Sequence, residues 1–307
     1  MNNALLLKLH RWTSLVFALP LIVVLLTGLI LSFEPIVQDR ALDPALVNAD
    51  RVTSLIQRFD PDGRARGLSI SAVGQRLQLQ GTPAPAIDLV TGEAATTSDV
   101  AGSVILWSRR THEHLFDQEW LLIASTIGMV AIMIIGTLMG LPRLRNSLAG
   151  WHKGMAWFTI PLLLLSPITA LFMLSGITFQ GAPPAAAAKP LPLIEAVRAI
   201  AQSHDLAKLT SLRNRGGRVM ARIYEDGELR AYTVSADGVA PLPRNWPRLL
   251  HEGNWWTLLS GSLNVITSVV LIGLLGTGLV MWGRRKLRPR NRRAVDVGRG
   301  AAVGPVS

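Results

Sequence analysis

Residues 9–33, LHRWTSLVFALPLIVVLLTGLILSF, decide the fold. A histidine and an arginine stand at the mouth of an uncharged run, Trp12–Phe33. As a helix such a run crosses a bilayer, because about 20 apolar residues at a rise of about 1.5 Å each cover the hydrocarbon core. Three further runs carry no charge and meet the same length: Trp120–Pro142, Gly154–Gln180 and Gly253–Gly283. Tryptophans 12, 120, 157, 255, 256 and 282 sit near the ends of these runs, where an amphipathic ring prefers the membrane interface. The first run is longer than a signal-peptide core, and Ser32-Phe33-Glu34-Pro35 offers no small-x-small cleavage site, so it reads as a retained span.

Outward from the spans, the charges sort themselves. The 307 residues are 49% hydrophobic and 17% charged, with a net charge of +11. The N-terminus, the short connection 143–153 and the tail after Gly283 together hold 13 Lys/Arg and one acid, Asp296. The two long loops hold 18 basic and 19 acidic residues. By the positive-inside rule, both termini and the short connection face the cytoplasm and both long loops lie outside, in a bacterial inner membrane. The basic excess is therefore topological. The tail from Arg284 to Arg293 anchors the last helix at anionic lipids, and nucleic acid is not an expected partner. With no cysteine, disulfides, thiolate-held zinc, iron–sulfur clusters and c-type haem attachment are excluded, and any metal must sit on His, carboxylate or Met.

The chain repeats itself. Leu9-His10-Arg11-Trp12 matches Trp151-His152-Lys153-Gly154, and a Thr follows each His by 17 residues, Thr27 and Thr169. His112-Glu113 and His251-Glu252 precede Thr137 and Thr277 by 25 and 26 residues. The loops repeat too, each as a small α+β module. The first has a helix over 45–59 and strands over 68–73, 76–80 and 86–90. The second has a Pro/Ala linker over 181–192, a helix over 193–203, and strands 219–224 and 228–234 joined by Glu225-Asp226-Gly227. The expected organisation is a first span within 1–33, an outer module over 34–119, a second span over 120–142, and a connection over 143–153. It continues with a third span over 154–180, a linker and second module over 181–252, a fourth span over 253–283 and a tail over 284–307.

Four of the six histidines stand at span mouths, one from each half of the repeat at each membrane face. His10 and His152 are inside, and His112 and His251 outside. Two imidazoles from facing helices can supply both axial ligands of a haem iron, so two such pairs make two haem sites. Zinc would need carboxylates beside each pair. Glu113, Glu119 and Glu252 are candidates outside, but no acid lies near His10 or His152. His114 is two residues from His112 and points about 200° away on a helix, so only one of them binds the iron. His112, in register with His251, is the better ligand, with His114 near a propionate or the substrate face.

Arg11 and Lys153 inside, and Arg109, Arg110 and Arg248 outside, are candidate propionate partners. Gly28, Gly136, Gly140, Gly176, Gly273, Gly276 and Gly278 suit close packing of helices or of a flat macrocycle. Thr27, Thr137, Thr169 and Thr277 either donate to a haem edge or bond back to their own helices. His204, in Ser203-His204-Asp205, reads as an exposed loop residue. There is no nucleotide-binding loop, no hydrolase elbow and no charged residue within a span.

Over about residues 1–286 the chain resembles the PepSY-associated transmembrane family. The resemblance rests on Leu9-His10-Arg11-Trp12 with Thr27-Gly28-Leu29, Thr111-His112-Glu113-His114-Leu115, Trp151-His152 and Leu250-His251-Glu252, all in register with four spans. That family includes iron-regulated membrane proteins and FoxB-like ferrisiderophore reductases. The resemblance implies PepSY-like outer modules, two b-type haems per chain, and reduction of a ferric siderophore or other periplasmic acceptor with electrons from a quinol or a cytoplasmic donor. It departs from the family in its short outer modules. The alternative is a non-enzymatic electron-relay, docking or regulatory subunit.

Overall fold

A computed structural model describes residues 2–38, 42–96, 99–142, 145–182 and 190–287. Helix α1 (Asn3–Val16) starts on Asn2, whose side chain accepts from the Ala4 N–H at 2.9 Å. It breaks at Phe17 because Pro20 has no N–H for the Val16 carbonyl and its ring crowds that carbonyl. Helix α2 (Ala18–Ser32) then runs through the membrane and, with α3 (Glu34–Gln38), completes the first span. The first long loop supplies α4 (Ala49–Phe59), β1 (Gly67–Ser71), β2 (Arg76–Gln80), β3 (Ile87–Asp88) and α5 (Val100–His114).

Helices α6 (Glu119–Leu138) and α7 (Leu148–Leu174) are the second and third spans. The second long loop supplies α8 (Leu193–Ala201), β4 (Leu209–Arg215), β5 (Arg218–Glu225), β6 (Glu228–Ser235), β7 (Gly238–Pro241) and α9 (Trp246–Glu252). The fourth span is α10 (Thr257–Leu287).

The third span begins earlier than the charge pattern indicates. Ser147 caps it by accepting from Gly150 N–H, so Trp151, His152 and Lys153 lie in its first turns rather than before it. In the bundle α2 and α7 both pack on α10, and α6 packs on α7 and on α1. Leu21, Leu25, Met129, Leu163 and Leu271, drawn from all four spans, form a buried layer at its middle. The outward faces are apolar and bare, as at Leu19, Phe158 and Val269, which is what lipid rather than water permits.

The two long loops do not fold as separate modules. β1 pairs antiparallel with β4, through Gly67↔Arg213, Leu68↔Leu212 and Ser69↔Ser211. All strands thereby join one seven-stranded sheet of order β3-β2-β1-β4-β5-β6-β7. α4 and α8 pack together on one face over a single core that includes Leu55, Leu68, Leu79, Val197, Leu212 and Ile223. Strands β4 and β7 were not anticipated. The Glu225-Asp226-Gly227 turn is as expected, with Asp226 and Gly227 both at positive φ, 50° and 72°. Most of the linker (183–189) and of the basic tail (288–307) lie outside the described residues.

Candidate functional site

The four span-mouth histidines form two pairs, one at each end of the bundle. At the end away from the sheet, His10 on α1 faces His152 on α7, with ring centres 6.4 Å apart and planes at 88°. At the sheet end, His112 on α5 faces His251 on α9, at 6.0 Å and 40°. Two imidazoles bound to opposite sides of one ion through bonds of about 2.0–2.1 Å have ring centres roughly 6.3 Å apart. Both separations fit that spacing.

The sheet-end histidines are not on the spans themselves. Each ends a separate helix that descends beside a span, α5 along α2 and α9 along α7, and a left-handed cap then turns the chain into the next span. After α9 the cap is Gly253 at φ 71°. After α5 three consecutive non-glycine residues, Leu115, Phe116 and Asp117, hold φ of 44°, 58° and 64°, a conformation that costs about 1–3 kcal/mol per residue and is kept only where packing enforces it. Leu115 is buried, which supplies that packing.

Each ring is oriented through Nδ1. His112 Nδ1 lies 3.0 Å from the Val24 carbonyl and 3.3 Å from Thr27 Oγ1. His251 Nδ1 lies 3.0 Å from the Ser166 carbonyl and 3.2 Å from Thr169 Oγ1. His10 Nδ1 is 3.0 Å from the Ile132 carbonyl, and His152 Nδ1 is 2.8 Å from Thr277 Oγ1. The threonine hydroxyls donate to their own helices, Thr27 to Val23, Thr169 to Leu165 and Thr277 to Gly273, each at 2.7 Å. A carbonyl only accepts, and a hydroxyl whose proton is already donated accepts as well, so Nδ1 is the donor in all four rings. The lone pair is left on Nε2, the arrangement that outer hydrogen bonds impose on metal-ligating histidines.

Small residues make room beside the rings. A Cβ on Gly28 would stand 3.0 Å from His112 Cε1, one on Gly136 3.6 Å from His10 Cε1, and one on Gly278 3.9 Å from His152 Cε1. Gly273 and Gly276 face open space. Ser108, one turn before His112, has a buried hydroxyl with no partner among the described residues. Only its (i, i+4) relation to His112 could have revealed it in the sequence.

The remaining candidate residues fall as follows, and His204 departs from its expected exposure. His114 is exposed and turns its Nδ1 to Glu119 at 3.3 Å, away from the pair, which leaves His112 as the inward ring. Arg109 and Arg248 are engaged by carboxylates of the chain itself. Arg109 pairs with Glu34 and, at 3.5 Å, with Glu113. Arg248 pairs with Glu252 at 3.1 Å, and Arg222 from β5 reaches the same carboxylate at 3.3 Å. Burial pushes the Glu252 carboxyl up, but Arg222, Arg248 and Arg109 together hold it below the usual range.

Arg110, Arg11 and Lys153 are exposed beside their histidines. The His204 side chain is only 11% exposed, with Nε2 3.3 Å from Glu225 and its ring against Tyr232. Burial and the hydrogen bond to Glu225 push the Tyr232 hydroxyl up to about 12. Among the described residues no three His, Asp or Glu side chains converge in the arrangement a metal ion needs.

Fold and site together define a four-span, mainly helical membrane protein with an antiparallel sheet domain at one end and a histidine pair at each end of the bundle. The family model described as the PepSY-associated TM region matches residues 7–285, and the chain belongs to that family. No curated protein matches the chain.

Proposed function

We propose that the chain is a dihaem b-type cytochrome of the bacterial inner membrane that delivers electrons from the cytoplasmic side or the quinol pool to an outer acceptor, a ferric siderophore or related chelate. The observation that carries this reading is the pair of facing imidazoles at each end, every one with Nδ1 engaged and Nε2 left as a ligand. His10 and His152 would hold one haem and His112 and His251 the other, and a bound haem supplies reversible one-electron chemistry.

The chain's own residues orient the imidazoles and leave Nε2 unprotonated. From His152 to Ser166, the level of the outer pair, α7 rises 14 residues or about 21 Å, so the two sites sit near opposite membrane faces. Equivalent roles recur 142 residues apart, at His10 and His152, Val24 and Ser166, and Thr27 and Thr169, which supports two tandem copies of one unit. The basic excess at the termini favours their cytoplasmic placement. One-electron reduction would release iron because hard oxygen ligands hold ferric iron better than ferrous.

The test is the absorbance spectrum of the purified protein, oxidised and dithionite-reduced, with a pyridine haemochrome count. Two b-type haems per chain is the expected result. None, in protein produced with haem supplied, would reject the cytochrome and favour a docking or regulatory subunit.

A further inference from the structure

One face of the seven-stranded sheet is covered by α4 and α8. The other is mostly polar and half-buried or exposed along β1, β2, β4 and the start of β5, and is buried at Tyr224 and Leu229, where Asn254 meets it. On that second face, alternation along β1, β2, β4 and β5 places Ser69, Gln78, Gln80, Ser211, Arg213, Arg218, Met220 and Arg222, all half-buried or exposed. Arg213 sits opposite Met220, with Arg218 and Arg222 on its two diagonals, about 7–8 Å away in a sheet. The acids of this part of the sheet, Glu225 and Glu228, lie on the opposite face, occupied by His204, Tyr232 and Arg244. Among the described residues, Arg213 and Arg218 enter no ion pair.

Arg213 and Arg218, with Arg222 beside them held by Glu252 and uncharged hydrogen-bonding side chains around them, form a surface complementary to an anion. The face also leads to the outer histidines. Arg222 holds Glu252, the residue after His251, and Tyr224 on the same face donates to Asn254 at 2.9 Å. At the first half's end Gln38 of α3 donates to Ser71 at 3.3 Å.

We propose that this face is the acceptor site and that it selects anionic, oxygen-rich ferric chelates, of citrate or catecholate type, over neutral tris-hydroxamate chelates. The inference rests on the electron-transfer reading for its biological meaning, but the binding it asserts does not depend on haem. It is therefore tested with redox-inert gallium(III) complexes on the full-length protein in detergent, by calorimetry. Gallium(III) citrate should bind, more weakly as salt is added, and gallium(III) tris(acetohydroxamate) should bind at least about tenfold more weakly.

The double variant Arg213→Glu/Arg218→Glu should lose about tenfold or more in citrate-complex affinity, and the milder Arg213→Gln/Arg218→Gln, which guards against misfolding, should lose part of it. Haem content and the reduced spectrum should stay as in the parent. No binding of the citrate complex, equal binding of the neutral complex, or unchanged affinity in both variants would overturn the proposal. Binding as described in a protein that holds no haem would leave the site standing and reject the cytochrome reading.

Discussion

The two histidine pairs share a ring spacing and differ in what holds them. His10 is carried on α1 and His152 on the third span, α7, and each bonds another span, α6 or α10. His112 and His251 are carried on α5 and α9, helices of the two long loops rather than of the spans, so their position depends on how α5 and α9 dock. That docking is tied to the sheet through Arg222, Glu252 and Asn254. One end of the bundle is therefore set by membrane helices, and the other by a tertiary contact between the bundle and the outer domain.

The sharpest way to break this comparison is to remove ligands. His152→Ala should leave one haem of two, with the sheet-end pair retained, and His251→Ala should leave the other. His114→Ala should leave both, because its ring points to Glu119. A haemochrome count and the reduced spectrum check all three, and a His152→Ala protein with two haems would reject the assignment.

Glu252→Ala should come next, because it deprives Arg222, Arg248 and Asn254 of their shared acceptor. The expected loss is about 1–3 kcal/mol of docking stability. The sheet-end haem should leave at lower denaturant while the other haem stays, which heme-specific absorbance during a titration reads. Loss of both haems together would show that the two ends are not independent.

The glycine contacts sharpen the comparison further. Gly28→Ala puts a methyl 3.0 Å from His112, where the ring must give way, whereas Gly278→Ala stands at an ordinary 3.9 Å from His152. The first should shift the spectrum or potential of the sheet-end site, and the second should leave the other site nearly unchanged. Gly128→Ala acts on neither pair directly. It would bring a methyl within 2.4 Å of the Phe17 ring, prising α1 from α6 and weakening the site that His10 serves.

The smallest effect is spectroscopic. With haem bound as proposed, rings crossed at 88° and rings at 40° would split the iron orbitals differently, so the two oxidised centres should give distinct low-spin paramagnetic resonance signals. Identical signals would show that the rings rotate on binding.

Much of this arrangement is legible residue by residue. The spans are visible because a bilayer demands length and apolarity in one continuous stretch. His10 and His152 are visible because Thr27 and Thr169 keep the same distance from them. Helical geometry separates His112 from His114, the register with His251 favours His112, and His112 is the ring that faces inward. The threonines' roles were open in the sequence, and the structure shows that they bond back to their helices while accepting from three of the imidazoles. Glu34 as a partner of Arg109, and Arg222 as a second partner of Glu252, were not legible, since each comes from a distant part of the chain.

By itself the sequence determined which segments enter the membrane and which histidines stand at their mouths, since both follow from local composition and fixed spacing along a helix. Only the tertiary structure decided that β1 pairs with β4 to merge two loops into one sheet, and that α5 and α9 descend beside the spans to bring His112 to His251. Pairing across more than a hundred residues depends on which surfaces bury each other, and no local period records that choice.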